Sequence, residues 1–437
     1  MTESIQPALT LRGALKLPAD KSISHRSALF AAISEETSTI TNYSDAADPH
    51  STLDCLEALG VEIERDGNKI TIQGVGRDGF KTPDRPLDCG NSGTTMRLLA
   101  GMVAGAGTTC TLIGDESLTG RTMKRIIQPL RSMGCAIEAR EDEFAPLRFE
   151  SHNGVEAIRY SLPIASAQLK SAVLLAGLYG EDTTEVIETL PSRDHTERLL
   201  GLVSEEYETG RIIRSSRKDL IPPQNYAVPG DFSAAAFWLT AGAIHRNAEI
   251  VMEGVGINPT RTAAMEILEQ MGADITRENI SAEEGREPTA DIVVRSSDLK
   301  GIAVNPAVVP NCIDELPILM VAMCFADGES IITGAGELRH KETDRLDAMG
   351  QILNLAGAEF ELQEDGIVIQ GNPDFIPRAA EYPSYHDHRM AMAAAVLATR
   401  SRSQSTVLDA ECTAISYPGF WDHLRRISVL DVKTDIL

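Results

Sequence analysis

Apolar and polar positions along this chain recur as a block. A run of small apolar residues, opened by a polar or charged residue, passes into a short β-type run; a second helical pattern and an alternating strand follow. The openings read SISHRSALFAAI from Ser22, NSGTTMRLLAGMVAG from Asn91, ASAQLKSAVLLAGLYG from Ala165, DFSAAAFWLTAGAI from Asp231, IDELPILMVAMCFADG from Ile313 and DHRMAMAAAVLATRS from Asp387. They lie about 70 residues apart, so six blocks account for nearly the whole chain. The second helices rhyme as well: STLDCLEALGVEIE, TMKRIIQPLRSMGCAIE, HTERLLGLVSEEYE, RTAAMEILEQMGADI and TDRLDAMGQILNLAGAEFE place apolar residues at helical spacing, with Gly near the helix end.

Apolar residues cover most of the circumference of the opening helices, which implies burial on nearly all sides. The N-terminus of such a helix exposes unpaired backbone N–H groups and the positive end of the macrodipole, so several aimed at one cleft form an anion site. Two breaker-rich segments divide the blocks three and three: KLPADK at Lys16–Lys21 and IPPQNYAVPGD at Ile221–Asp231. The expected domains are therefore residues 18–229, and residues 230–437 together with 1–17. SAEEGREPTA, at 281–290, reads as a surface excursion within the fourth block.

Forty Lys and Arg against 64 Asp and Glu give a formal charge of −24, which argues against a protein that coats nucleic acid or an anionic membrane. An anionic ligand then needs a local basic pocket. The seven cysteines are scattered and form no CxxC pair, so neither a disulfide framework nor a zinc site is expected, and a cytoplasmic location is. The stretch MTESIQPALTL has no basic n-region or long apolar h-region, and no run approaches the ~20 apolar residues of a membrane span.

In DKSISHR, Ser22 is placed to cap a helix, and Lys21 and Arg26 are spaced to bracket one anion; the plain alternative is a cap beside two solvated cations. GNSGT, Gly90–Thr94, joins glycines to small hydroxyls where a ligand can approach backbone, although it has neither a Walker lysine nor a complete GxGxxG. SAQLK from Ser166 offers a hydroxyl and an amide, or an ordinary cap. In KETDRL, Lys341 and Arg345 are spaced to share a helical face with Glu342 beside them. His388 and Arg389 open an almost wholly apolar helix, where an idle charge is costly. Asp314, in the apolar run CIDELPILM, is either a cap or a tuned acid/base.

Taken in order, DKSISHR, GNSGT, SLTGRTMKR, ASAQLKSA, SRDHTERLL, IDELPIL, LRHKETDRL and DHRMAMA resemble the 5-enolpyruvylshikimate-3-phosphate synthase family over nearly the full chain. ASAQLKSA and SRDHTERLL resemble its class II branch. The resemblance implies an α/β fold of two domains, each with three βαβαββ repeats around buried helices, joined by two strand crossings. It implies that shikimate 3-phosphate contacts Lys21, Ser22, Arg26, Ser166, Ala167, Gln168, Arg193, Asp314 and Lys341. Phosphoenolpyruvate would be held by Lys21, Gly93, Arg121, Gln168, Arg345 and Arg389, with Lys21, Asp314 and Glu342 as the acid/base groups. The implied reaction transfers the enolpyruvyl group to the 5-hydroxyl, releases phosphate, and uses no cofactor or metal. Glyphosate is expected to compete beside Gly93, and a monomer without nucleic-acid or membrane partners is expected.

Three positions depart from the family pattern: Thr122 follows Arg121 where many members have proline, Glu337 stands where some have asparagine, and Ile415 stands where many have a cation. The nearest rival is the UDP-N-acetylglucosamine enolpyruvyl transferase, whose AKNA-type opening and loop cysteine are missing from DKSISHR and SLTGRTMKR. An RNA 3′-phosphate cyclase type would need a nucleotidylated histidine and tolerance of nucleic acid. A non-catalytic anion-binding scaffold would leave Asp314 and Glu342 without a task.

Overall fold

The computed structural model describes residues 1–208, 210–283 and 286–430. The chain forms two compact units, one of Ala19–Val228 with Glu283–Glu287, the other of Met1–Pro18, Pro229–Ala282 and Pro288–Leu437. They are called here the inserted and the terminal unit. Each has its own apolar core.

All six opening runs are helical, over Lys21–Ile33, Gly93–Ala106, Ala167–Gly177, Phe232–Ile244, Leu316–Cys324 and His388–Ala398. Every residue of Phe232–Ile244 is buried. Small residues permit this depth. A Cβ on Gly101 would stand 2.4 Å from the carbonyl oxygen of Ala172, so glycine lets Gly93–Ala106 press directly on Ala167–Gly177.

Short acidic and hydroxyl side chains set where these helices start. Asp20 accepts from Ile23 N at 2.8 Å, so it is Asp20, and not Ser22, that caps the first helix. Ser92 caps Thr95 N at 3.0 Å, Ser166 caps Leu169 N at 3.4 Å, Asp231 caps Ser233 N at 2.7 Å and Asp387 caps Arg389 N at 2.8 Å.

In the inserted unit each repeat closes a four-stranded sheet in which one parallel pair adjoins two antiparallel strands. The second repeat runs Leu87–Asp88, Gly93–Ala106, Cys110–Ile113, Lys124–Ser132, Ala136–Arg140 and Phe144–Glu150, a βαβαββ order. Arg159–Ser161 begins the same order in the third. In the first repeat the opening strand, Tyr226–Ala227, comes from the end of the unit and pairs in parallel with Thr37–Thr41.

The terminal unit is less regular. Its fourth repeat borrows Ala8–Lys16, which pairs in parallel with Glu249–Gly256. The fifth keeps only isolated parallel bridges, Lys300 to Asp327 and Ala303 to Ile331, before its sheet. Among the described residues the sixth shows no closing hairpin: Glu3–Ile5 pairs with Ser405–Val407, and Ser428–Leu430 joins Ala8–Lys16 in the fourth repeat's sheet. Its second helix, Phe420–Ile427, completes the series that the repeated sequences began.

The segment read as a surface excursion is not wholly exposed. Glu287 is buried, its Oε1 2.8 Å from His195 Nδ1, and this pairing is what makes burial of the carboxylate tolerable. Residues 284 and 285 of that reading lie outside the described residues. Among the described residues no single helix is long and apolar enough to cross a membrane. All seven cysteines are buried, and each is a thiol outside any disulfide.

Candidate functional site

The predicted residues fall into one group per unit, most at the N-terminal ends of the opening helices, with Arg121, Arg193, Lys341 and Arg345 before or at the start of second helices. In the inserted unit, Lys21 begins the first helix and its Nζ lies 2.8 Å from Asp48 Oδ2. Ser22 is in the same turn, and its carbonyl accepts from Arg26 Nη1 at 3.1 Å. Arg26 is buried rather than solvated. It donates to Thr196 Oγ1 at 2.8 Å and to Ser171 Oγ at 3.1 Å, and burial pulls its pKa down to about 10.

Gly93 is the first residue of its helix, where a Cβ would meet Arg97 Nη1 at 2.9 Å. Arg97 donates to Gln168 Oε1 at 2.7 Å, and Gln168 Nε2 donates to Thr94 Oγ1 at 3.0 Å, which fixes the amide flip. Ala167 and Gln168 are half-buried in the first turn behind the Ser166 cap. Arg121 lies in the loop after Glu116–Thr119 and donates to Asn91 Oδ1 at 2.8 Å and Ser117 Oγ at 3.1 Å. Arg193 is half-buried in the stretch before His195–Leu200.

That stretch is clasped by a buried ion cluster. Lys170 Nζ lies 2.9 Å from Glu188 Oε2 and 2.6 Å from Glu197 Oε1, and Glu188 Oε2 accepts from Ser192 Oγ at 2.9 Å. Burial lowers the lysine's pKa, but Glu197 and Glu188 outweigh it and hold it raised.

In the terminal unit carboxylates hold the cations. Arg345 is 1% exposed; it donates to Asp387 Oδ2 at 2.8 Å and Glu342 Oε2 at 2.6 Å, and reaches Asp314 Oδ1 at 3.4 Å. Burial works against its charge, but Asp387, Glu342 and Asp314 together keep its pKa above the ordinary value. Arg389 Nη1 donates to the carbonyl of Asp314 at 2.9 Å.

Lys341 and Arg345 do not share a helical face. Asp344 caps Asp347 N at 3.0 Å, so the helix begins at Arg345, and Lys341 precedes it in extended backbone. The two cations meet instead through Asp314, each 3.4 Å from Oδ1. Asp314 does not cap Leu316–Cys324, whose N-cap is Glu315. Glu337, one of the departures from the family pattern, lies 3.8 Å from Lys341. Ile415, another, is half-buried against the terminal core at the end of the 3₁₀ turn Ala410–Ile415.

Sequence reasoning missed Asp48, Arg97, Arg261, Glu315 and the Lys170 cluster. Their partners are remote in sequence; local signals were carried by Glu315, a second acid in an apolar run, and by Arg97 and Lys170, lone cations within apolar helices.

Residues 5–424 match the family model for EPSP synthase (3-phosphoshikimate 1-carboxyvinyltransferase). A Salinibacter ruber protein named 3-phosphoshikimate 1-carboxyvinyltransferase is 49% identical over 433 residues, covering 98% of this chain and 100% of that protein. One of the same name from Hydrogenovibrio crunogenus is 45% identical, with 95% of each chain covered. Among solved structures, EPSP synthase from Acinetobacter baumannii superposes with a TM-score of 0.87 at 41% identity, covering 98% of both chains. The enolpyruvyl transferase NikO from Streptomyces tendae, at 15% identity and a TM-score of 0.76 over 97% of this chain and 96% of that one, shares the fold. With near-complete coverage and two clusters of cations at helix N-termini, this chain belongs to the EPSP synthase family.

Proposed function

We propose that the protein transfers the enolpyruvyl group of phosphoenolpyruvate to the 5-hydroxyl of shikimate 3-phosphate, releasing phosphate. The observation that carries this reading is the set of Lys21, Gly93, Arg121 and Gln168 in one unit and Asp314, Lys341, Arg345 and Arg389 in the other, all at or beside the starts of helices, in a chain of this family. Both substrates are polyanions. Fixed guanidinium and ammonium groups at helix N-termini offset their charge without solvent reorganisation during the reaction.

In the addition step the 5-oxygen bonds to C2 of phosphoenolpyruvate, the hydroxyl proton passes to Asp314, and C3 gains a proton from Lys21 or Glu342. Elimination breaks the C2–O bond to phosphate, which leaves with the proton Asp314 took from the hydroxyl, while C3 gives its proton back to the group that supplied it, restoring the double bond and both acid/base groups. Asp314 suits the acceptor role because Lys341 and Arg345 brace one of its oxygens, each at 3.4 Å. Lys21 suits the donor role, as an ammonium oriented by Asp48 at 2.8 Å. Ser22, Arg26, Ser166, Ala167, Gln168, Arg193 and Lys341 would orient shikimate 3-phosphate. Lys21, Gly93, Arg121, Gln168, Arg345 and Arg389 would hold phosphoenolpyruvate.

Phosphate release should require shikimate 3-phosphate together with phosphoenolpyruvate. No release with that pair, or release with UDP-N-acetylglucosamine as acceptor, would overturn the reading.

A further inference from the structure

One buried carboxylate has no part in the chemistry above. Glu315 is fully buried at the N-cap of Leu316–Cys324, yet its side chain makes no capping bond. It faces sideways, accepting from Arg261 Nη1 at 2.9 Å and from Ser233 Oγ, with Arg389 Nη1 at 3.5 Å. Ser233 and Arg261 belong to the fourth repeat, Glu315 to the fifth and Arg389 to the sixth. A single carboxylate therefore ties three repeats together.

The two arginines meet it unequally. Arg261 is 4% exposed and makes the shorter bond; its other terminal nitrogen lies 4.0 Å from Asp231. Arg389 is the more open of the two and donates its short bond to a backbone carbonyl, a neutral acceptor. Glu315 thus steadies Arg389 while Arg261 absorbs most of the carboxylate's charge. Coulomb attraction in a buried site is strong enough that, without Arg261, Glu315 would tighten its long 3.5 Å contact with Arg389 into a short pair.

We propose that Arg261 and Glu315 are a positioning pair that sets the affinity for phosphoenolpyruvate through Arg389: Glu315 fixes the guanidinium, and Arg261 keeps Glu315 from neutralising it. The inference rests on the reading of Arg389 as a phosphoenolpyruvate contact. A purely structural tie would lower stability without separating the two substrates.

The test compares R261M, E315Q and the double variant R261M/E315Q in steady-state kinetics with both substrates, with thermal melts to establish folding. R261M should raise the KM for phosphoenolpyruvate by about 10- to 100-fold, in the range of coupling between close charge pairs. Adding E315Q should bring that KM back to within about threefold of wild type, since the captured charge is gone. The KM for shikimate 3-phosphate should stay within about twofold throughout. E315Q alone keeps the shape of the side chain and should lower kcat about tenfold by loosening Arg389. A double variant worse than R261M would overturn the proposal, as would equal movement of both KM values or wild-type kinetics in folded E315Q. If R261M does not fold, wild-type kcat in E315Q decides against the pair on its own. A wild-type protein that turns over neither substrate would instead overturn the functional reading.

Discussion

The two units differ in what holds the buried arginine at their helix starts, hydroxyls for Arg26 and carboxylates for Arg345. In the inserted unit a chain of neutral hydroxyls works beside two ion ties, Lys21 with Asp48 and Lys170 with Glu188 and Glu197. His25 Nδ1 is 2.7 Å from Thr52 Oγ1, which is 2.8 Å from Thr95 Oγ1, which donates to Ser92 Oγ at 2.8 Å. Arg26 rests on two hydroxyls. In the terminal unit Arg261, Lys341 and Arg345 each face a carboxylate within 3.4 Å. A guanidinium resting on neutral hydroxyls, as Arg26 does, is not neutralised by them, whereas carboxylate ties hold guanidinium groups rigidly and partly neutralise them. The units should therefore fail differently when a tie is cut, since an uncovered buried charge costs far more than an unmet hydroxyl.

The largest effect is expected in the terminal unit. Arg345→Met leaves Asp387, Glu342 and Asp314 without their shared cation, at about 3–5 kcal/mol of stability and with loss of nearly all turnover. Calorimetry showing less than about 1 kcal/mol of loss would break the comparison at its strongest point.

The pH dependence of stability comes next. Burial pulls the pKa of His25 down to about 3, and those of His245 and His388 down to about 4. These rings fold neutral, so below the unfolded value of 6.5 the unfolded chain binds more protons than the folded one. Their contribution is complete above that pH and is lost as pH falls toward 4, at about 1.4 kcal/mol per histidine for each pH unit. Melting curves should slope down from pH 6.5, and His245→Gln, remote from the helix starts, should flatten the slope by one histidine's share. An unchanged slope would contradict its neutral burial.

Cutting a neutral tie sharpens the contrast. Thr95→Val removes the central hydroxyl of the chain from His25 to Ser92 and should cost about 1–2 kcal/mol, well short of Arg345→Met. A loss equal to that of Arg345→Met would show that the hydroxyl chain carries as much as the ion network.

Gly93→Ala should act through a neighbour. Its Cβ would stand 2.9 Å from Arg97 Nη1, the far end of a flexible side chain, and push it off Gln168. The KM for phosphoenolpyruvate should rise about three- to tenfold, and Arg97→Lys should mask most of that rise because the crowding atom is gone. Additive effects would place the clash elsewhere. The glyphosate inhibition constant should rise further than this KM, as the longer ligand has less room; an equal rise would contradict the steric account.

The repeats and most helix starts were legible because they depend on local signals: apolar periodicity, and Asp or Ser one residue ahead of a helix. The misreadings fell where two local signals competed. Asp20 and Ser22 can both cap, and Asp20 does so, which leaves Ser22 in the first turn. KETDRL reads as continuous helix until Asp344 caps it from within. The ties themselves were illegible, since Arg97 and Gln168 are 71 positions apart and Arg261 and Glu315 are 54. Pairing at that range is set by how repeats pack, and nothing in the spacing of one repeat encodes it.

The smallest effect is expected at Ile415, where many relatives would have a cation. The side chain is half-buried against the terminal core at the end of Ala410–Ile415, and the next turn leads into buried Tyr417 and Phe420. Ile415→Lys should lose part of this apolar contact while the lysine stem covers the rest and its ammonium reaches solvent, a cost of about 1 kcal/mol. If the half-buried position keeps the new charge in solvent, the KM for phosphoenolpyruvate should be unchanged at both low and high ionic strength. A lower KM that weakens with salt would place the ammonium beside the ligand. The terminal unit would then have had room for a cation held by no carboxylate, and its difference from the inserted unit would lie in this one side chain as much as in its ties.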